Sequence, residues 1–242
     1  NMRNTKLVTA IALLSTSLSS AVIAEEKTIE PTWDATAELG FIMTSGNSDT
    51  ETLNAKFSAS TSYTDWKHSL HLAALSSSSN DVSSAEKYFV EAQSDRKLSE
   101  RAYALGVISW EKDRFSGFDH QTSIALGLGY KAIAEDNMEL DFELAPGYRE
   151  IVDNNGNNEE DAIVRAAEIF SWKINETSSL DQFLNTEAGD SNTVTRFGIS
   201  LTSQVQDALS MKVGYNIKHS SDVPTGADST DRETSVTLVY TL

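Results

Sequence analysis

The stretch LSMKVGYNIK, residues 209–218, alternates between apolar and polar side chains at every position. Period-two alternation puts one set on each face of a β-strand, whereas a helix would mix both sets on every face. The same alternation recurs over residues 53–63, 124–131, 138–149 and 236–242. The sequence therefore predicts an all-β protein.

The alternating segments are long. Strands of globular proteins average about 5–6 residues, whereas a tilted strand that crosses a bilayer needs about 9–11 residues. Most of the segments here exceed both lengths. We therefore predict a transmembrane antiparallel up-and-down β-barrel of about 12 strands. The predicted strands span residues 34–45, 51–63, 66–77, 86–98, 101–112, 119–133, 138–150, 161–174, 178–189, 193–206, 208–219 and 231–242.

Residues 1–24 have the composition of a secretory signal peptide. Two basic residues open the segment, an uncharged and largely apolar run follows, and Ala24 lies at the predicted cleavage point. A membrane-anchoring helix is the alternative, but the apolar run is short and rich in Ser and Thr. We expect a cleaved signal peptide, a short periplasmic segment over residues 25–33, and a barrel over residues 34–242 in the outer membrane of a Gram-negative bacterium.

The composition excludes several classes of protein. With 36 acidic against 19 basic residues, the chain has a net charge of −17 and no basic stripe for nucleic acid. It contains no cysteine, which excludes disulfides, thiolate metal sites and thiol nucleophiles. Apolar residues recur to the last position, so the chain is not predicted to be disordered.

The predicted connections differ between the two ends of the barrel. Links after even-numbered strands are short, while residues 78–85, 112–118, 151–160 and 220–230 are predicted as longer loops. Short periplasmic turns and longer external loops are typical of outer-membrane barrels. An even number of strands places both termini at the periplasmic end.

Six aromatic residues lie close to the predicted short turns. Tyr and Trp rings favour membrane interfaces because they contact hydrocarbon and water at once. We therefore predict an aromatic girdle at the periplasmic end. Its members are Tyr63, Trp66, Tyr103, Tyr130, Trp172 and Tyr240.

The chain ends inside an alternating strand with apolar residues at Val236, Leu238, Tyr240 and Leu242. This strand must pair with the first to close the barrel, because an open edge in lipid leaves backbone groups unsatisfied. Outer-membrane barrels commonly end in such a strand, and we expect the barrel-assembly machinery to recognise it. Their last residue is usually aromatic, so Leu242 departs from that pattern.

The residues point to little chemistry. His68 and His71 are three apart on a predicted strand, so they face opposite ways and cannot chelate one metal ion. An outer-membrane lipid hydrolase would need His68 or His120 beside a serine and an orienting group. The acidic run 153–161 has Gly156 at its fourth position rather than its sixth, which favours a solvated turn over a calcium loop. We predict no catalytic residue, no metal site and no cofactor.

Charged residues on the predicted inward face allow two interpretations. Paired charges would fill the lumen, or a narrow pore would be lined by charges that set its ion preference. About 8 strands leave a filled interior and about 16 an open channel, so a barrel of intermediate size allows both. The candidates are Glu38, Lys56, Lys131, Glu139, Asp141, Glu143, Arg149, Arg165, Lys173, Arg196, Lys212 and Lys218.

Several short motifs, in this order, resemble one bacterial family. They are WD at 33–34, TSGNSDT at 44–50, WEKDRFSGFD at 110–119, GLGY at 127–130 and PGYRE at 146–150. Together they are similar to the family known as domain of unknown function 481, whose members are often labelled salt-induced outer membrane proteins. The resemblance covers essentially the whole mature chain and implies an outer-membrane placement, but it supplies no catalytic residues.

Several functions stay open. The first is a narrow pore for small solutes or ions linked to osmotic or salt stress. The alternatives are a non-conducting envelope barrel with a charge-filled lumen, an outer-membrane lipid hydrolase, and a soluble periplasmic β-protein. Expected partners are outer-membrane lipid, lipopolysaccharide, whose phosphates would share divalent cations with acidic loops, and the assembly machinery. No nucleic-acid partner is expected, and the oligomeric state stays open.

Overall fold

A computed structural model of the chain describes residues 32–44, 50–79, 82–114, 118–223 and 228–242. Over these residues the chain forms twelve β-strands. They are β1 (Thr32–Thr44), β2 (Thr50–Ser62), β3 (Trp66–Ser79), β4 (Val82–Lys97), β5 (Ala102–Asp113), β6 (Phe118–Glu135), β7 (Met138–Asp153), β8 (Asn158–Asn175), β9 (Ser178–Gly189), β10 (Thr193–Gln206), β11 (Leu209–Ser220) and β12 (Thr230–Thr241). No helix in this part of the chain is long and apolar enough to cross a membrane.

Every strand pairs antiparallel with its sequence neighbours, and β12 returns to pair with β1. The closing seam runs from Thr36 opposite Thr241 to Leu39 opposite Leu238. The amide of Leu242 extends the seam by donating to the carbonyl oxygen of Ala35 at 2.9 Å. The predicted antiparallel up-and-down barrel of twelve strands is therefore confirmed.

Alternation of side chains gives the barrel an apolar outer face. Leu126, Leu128 and Leu144 point outward with 67%, 61% and 59% of their surface exposed. Their neighbours Ala125 and Ala145 point inward and are buried. An exposed apolar band of this kind is suited to contact with lipid rather than water. The outer face therefore fits a transmembrane barrel.

The two ends of the barrel are named by what they carry. The end at which β1 begins and β12 ends, here called the terminal end, has short turns at residues 63–65, 98–101, 136–137, 176–177 and 207–208. The opposite end, here called the loop end, carries the other connections. The chain enters β1 at Thr32, two residues before the predicted start of the barrel. The predicted signal peptide, residues 1–24, and residues 25–31 lie outside the described residues.

Two loops predicted at the loop end are instead mostly strand. Residues 151–160 form the paired ends of β7 and β8 with a turn at 154–157, and residues 78–85 are largely the ends of β3 and β4. Polar residues continue the ladder there because backbone pairing does not require apolar side chains. The turn is closed by Asp153, whose Oδ1 accepts hydrogen bonds from the amides of Asn155 and Asn157 at 2.8 Å each.

A small apolar cluster lies inside the barrel along one wall. It consists of Tyr103, Leu105 and Val107 on β5 with Ala125 and Ala145 from the next two strands. Large side chains face small ones here, which lets the wall of a narrow barrel be filled from within. The cluster therefore narrows the lumen beside β5.

Candidate functional site

Contacts between distant strands identify the interior. Lys218 on β11 forms an ion pair with Glu111 on β5, and five strands lie between these two on either side of the barrel. Side chains of such strands can meet only through the lumen. This contact therefore fixes which register of each strand points inward.

A network of ion pairs, here called the central network, crosses the lumen toward the loop end, where β5, β9 and β11 end and β10 begins. Glu111 bonds Lys218 through Oε1, and its Oε2 is 2.6 Å from Nη2 of Arg196 on β10. Nη1 of Arg196 is in turn 3.8 Å from Oε2 of Glu187 on β9. The Glu111 and Arg196 side chains are only 12% and 16% exposed. Charges of both signs therefore span the lumen from wall to wall.

Two serine hydroxyl groups extend the central network to the part of the wall formed by β5 and β6. Ser123 on β6 donates to Oε1 of Glu187 at 3.0 Å, and its oxygen is 2.7 Å from that of Ser109 on β5. Glu187 is 3% exposed. Buried carboxylates are stable only when they are paired or hydrogen-bonded. These contacts therefore fix Glu187 in one position.

A second cluster surrounds Glu143 on β7. Its Oε2 is 2.5 Å from Nη1 of Arg165 on β8, and its Oε1 accepts bonds from Tyr103 at 3.0 Å and from Gln93 at 2.8 Å. Side chains from four strands, counting that of Glu143 itself, therefore meet at one buried carboxylate. Such a cluster resists motion, because removing one partner leaves buried polar groups unsatisfied.

A third cluster lies near the loop end around Arg149, which is fully buried. Its Nη2 is 3.1 Å from Oδ2 of Asp161 and also donates to the carbonyl oxygen of Asn192. Asp161 accepts a further bond from the amide of Ser191 at 3.3 Å. The cluster thus ties the β9–β10 connection to the wall formed by β7 and β8.

Further polar contacts join inward side chains of strands that are not neighbours. Each places a basic or amide group beside a carboxylate. They are Lys212 with Glu38 at 2.8 Å, Lys56 with Glu233 at 3.8 Å, Asn54 with Glu233 at 2.8 Å, and Lys87 with Asp231 at 2.8 Å.

The lumen near the terminal end is different. Lys131, Glu139 and Lys173 face inward by register. Their side chains form no hydrogen bond and no ion pair with any residue that the structure describes. Glu139 and Lys173 are exposed. The charges in this part of the lumen are therefore not held by direct hydrogen bonds or ion pairs to the described residues.

All the charged residues predicted for the lumen share the inward register. Three of them are the unpaired residues of the terminal end, and the others make the contacts described above or, for Asp141, a 3.4 Å contact with Tyr103. Sequence reasoning missed Glu111 and Glu187. Glu187 lies directly opposite Arg165 in the β8–β9 ladder, so strand pairing would have found it.

The prediction that Tyr103 belongs to the aromatic girdle is wrong. Its ring points into the lumen, is 7% exposed, and reaches Glu143. The sequence does not show this because β5 is apolar on both faces around Tyr103. The Tyr103 ring fits because residue 129 is glycine, since a Cβ there would lie 2.1 Å from Cζ of Tyr103. The other aromatic residues predicted for the girdle face outward near the terminal end. They are Tyr63, Trp66, Tyr130, Trp172 and Tyr240.

The last strand presents its apolar residues outward. Val236, Leu238, Tyr240 and Leu242 are between 51% and 69% exposed. They lie beside the seam with β1. Recognition of this strand by the assembly machinery stays a prediction.

Neither His68 nor His120 contacts both a serine and a carboxylate in the part of the chain that the structure describes. Nδ1 of His68 is 2.8 Å from Oγ of Ser94 on the outer face, while His71 points inward toward Ser58. His120 lies beside Asp119 at 3.0 Å. Among the described residues, no carboxylate contacts the His68 ring to orient it as a catalytic base requires. The same residues contain no group of three or more acidic or histidine side chains arranged for a metal ion.

A closed barrel with an apolar exterior and a charged lumen has the fold of outer-membrane β-barrel proteins. The structure of the NanC porin is 12% identical, with a TM-score of 0.52, over 86% of this chain and 98% of that one. An outer membrane channel from Pseudomonas putida F1 is 10% identical, with a TM-score of 0.51, over 92% of this chain and 100% of that one. These likenesses show the fold.

The family described as "Protein of unknown function, DUF481" matches residues 37–242, and the chain belongs to this family. The resemblance noted from the sequence motifs is thereby confirmed. The Escherichia coli (strain K12) protein YdiY is 25% identical, and the alignment covers 100% of both chains.

Proposed function

We propose that this protein is an outer-membrane channel that passes small ions through a lumen narrowed by the central network. The fold supports the proposal, and the ion pairs of Glu111 with Arg196 and Lys218 carry it. A solute that crosses the barrel must pass beside these charges. Only small hydrated species fit beside side chains that span the lumen, as in other charge-lined filters.

The balance of charge at the constriction predicts its selectivity. Glu111 and Glu187 provide two paired carboxylates there, and Arg196 and Lys218 provide two cations. Glu91, on the inward face of β4 opposite Ser109, adds a third carboxylate close enough to interact with Arg196. Neighbouring opposite charges cancel much of each other's field at a distance. The proposed channel therefore discriminates weakly between cations and anions, and its narrow width sets the size limit.

We also propose where the protein lies and how it is oriented. The apolar band lies in the outer membrane, the terminal end faces the periplasm, and the signal peptide is cleaved after Ala24. N-terminal sequencing of protein extracted from outer membranes tests the cleavage, with Glu25 expected as the first residue. The resemblance noted in the sequence motifs is the basis for proposing a role in osmotic or salt stress, and growth of a deletion strain across salt concentrations tests that role.

Single-channel recording tests conduction. The purified protein in a planar bilayer is expected to give small, discrete current steps. Glu111→Ala removes the acceptor shared by Arg196 and Lys218, so it should raise the conductance. Lys112→Ala is the matched control, because Lys112 points outward and pairs with Asp119 at 2.9 Å. Wild-type barrels that insert and stay silent would contradict the proposed channel.

A non-conducting envelope barrel is the second candidate. The full burial of Arg149 and the four-strand cluster around Glu143 favour it, because buried clusters of this kind fill a lumen. It predicts a silent wild type and altered membrane integrity on deletion without a change in small-solute permeability. A silent wild type together with a conducting Glu111→Ala variant would select this second function.

A further inference from the structure

An aromatic and basic cluster lies on the outer face at the terminal end. Cζ of Arg96 is 5.8 Å from the centroid of the Trp66 ring. The His68 ring stacks on Trp66 with centroids 5.8 Å apart and planes at 14°. Tyr63 meets His68 edge-on with centroids 5.9 Å apart. With Ser94, which contacts His68, these residues form what we call the Trp66 patch.

Strand register assembles the Trp66 patch. Trp66 lies directly opposite Arg96 in the β3–β4 ladder, and His68 lies directly opposite Ser94. All four share the outward face. Their strands meet here beside the turn at residues 63–65, at the level of the aromatic girdle. The patch therefore lies at the boundary between the apolar band and the aqueous phase at the terminal end.

Three features of the patch suit a phosphate group. Among the residues that the structure describes, the exposed Arg96 side chain forms no ion pair, so its charge is held only over the face of Trp66. The planar guanidinium is a good match for phosphate oxygens. The hydroxyl of Ser94 and the ring of His68 add further hydrogen-bonding groups beside it.

A buried hydroxyl adjoins the patch without a partner. Thr61 lies opposite His68 in the β2–β3 ladder and is 5% exposed. Its Oγ1 has no hydrogen-bond partner among the described residues. Buried polar groups are usually satisfied, so an orphaned one beside exposed donors indicates a missing partner.

We propose that the Trp66 patch binds the phosphate of a glycerophospholipid, with a preference for anionic headgroups, in the leaflet around the terminal end. Arg96 holds the phosphate, and the exposed rings of Trp66 and Tyr63 hold the interfacial part of the lipid. An uncompensated cation at this level also favours anionic over zwitterionic lipid. This inference rests on the proposed membrane placement and is independent of conduction.

Native mass spectrometry of the full-length protein tests this inference. The protein in neutral detergent is offered an equal mixture of phosphatidylglycerol and phosphatidylcholine. The wild type should retain phosphatidylglycerol preferentially, and Arg96→Gln should weaken its retention about tenfold. Arg232→Gln is the matched control, because Arg232 is exposed on the outward face of β12 near the loop end. It should retain lipid like the wild type.

Separate measurements distinguish folding and conduction from lipid binding. A heat-dependent shift in gel mobility shows that each variant is folded. Equal retention of both lipids by folded wild type, or equal losses in Arg96→Gln and Arg232→Gln, would overturn the inference. A silent barrel that retains phosphatidylglycerol through Arg96 contradicts only the channel. A conducting barrel without that preference contradicts only the lipid site.

Discussion

The lumen contains the same types of charged residue along its length, but three of them near the terminal end, Lys131, Glu139 and Lys173, lack, within the described part of the chain, the direct pairing that holds the others. Glu143 and Glu187 are 5% and 3% exposed and are held by several partners. Glu139 and Lys173 face the same lumen, are exposed, and lack such partners among the described residues. The partners within reach across the lumen, rather than residue type, therefore decide whether a charge is held in place by the protein.

Removing a paired charge from the lumen should have the largest effect, which we expect on the free energy of unfolding. Arg149→Ala leaves Asp161 and the Asn192 carbonyl group without their buried partner. Breaking a buried ion pair in this way costs about 3–5 kcal/mol in the free energy of unfolding. Lys173→Ala at the terminal end is the control and should change it by less than about 0.5 kcal/mol. Denaturant unfolding in micelles measures both, and equal losses would refute the distinction.

A substitution that disturbs the packing of Tyr103 against the Glu143 cluster should have the next largest effect on stability. In Gly129→Ala the new Cβ would lie 2.1 Å from the Tyr103 ring, so the ring must shift away from Glu143. Overpacking of this kind costs about 1–3 kcal/mol. Gly214→Ala is the comparison, because the nearest atom, Oγ of Ser235, is 3.1 Å away and can rotate. A Gly214→Ala variant as unstable as Gly129→Ala would argue against a fixed Tyr103.

The outer face contains an unpaired charge in a dry setting. Glu168 lies outward between Phe142 and Leu184, and no described residue forms a hydrogen bond or ion pair with its side chain. Unlike Glu139, it faces the apolar band. Glu168→Leu should therefore stabilise the folded barrel in lipid by about 1 kcal/mol, whereas Glu139→Leu should not. Folding titrations into vesicles measure the difference, and a destabilised Glu168→Leu would show that Glu168 has a partner in the membrane.

The sequence was enough to predict the strands, because alternation is a local property. The bounds of β9 and β10 agree with the predicted spans 178–189 and 193–206. It was not enough to orient Tyr103, since β5 is apolar on both faces there, nor to find the ends of strands that continue through polar residues at 151–160. Local patterns also cannot show which inward charges meet.

Glu111 and Lys218 illustrate that limit. Alternation places Lys218 on the inward face, but its contact with Glu111 depends on how twelve strands are staggered around the closed barrel. Stagger is a property of the whole ring rather than of any one strand. The terminal-end charges were predicted as readily as Lys218, and only the closed structure separates the two groups.

The smallest expected effect is a change in ion selectivity. It tests whether the paired charges of the central network, rather than the terminal-end charges, act on a passing ion. Lys218→Met removes one cation from the central network and leaves Glu111 and Glu187 in excess, so reversal potentials in a salt gradient should shift toward cations. We expect a change of about threefold in the permeability ratio, which is below 1 kcal/mol because tenfold corresponds to about 1.4 kcal/mol. Lys173→Met removes the same charge from the terminal end, where water and salt screen it, and should have less effect. If Lys173→Met shifts selectivity as much as Lys218→Met, the narrow part of the channel lies at the terminal end and the central network is not its filter.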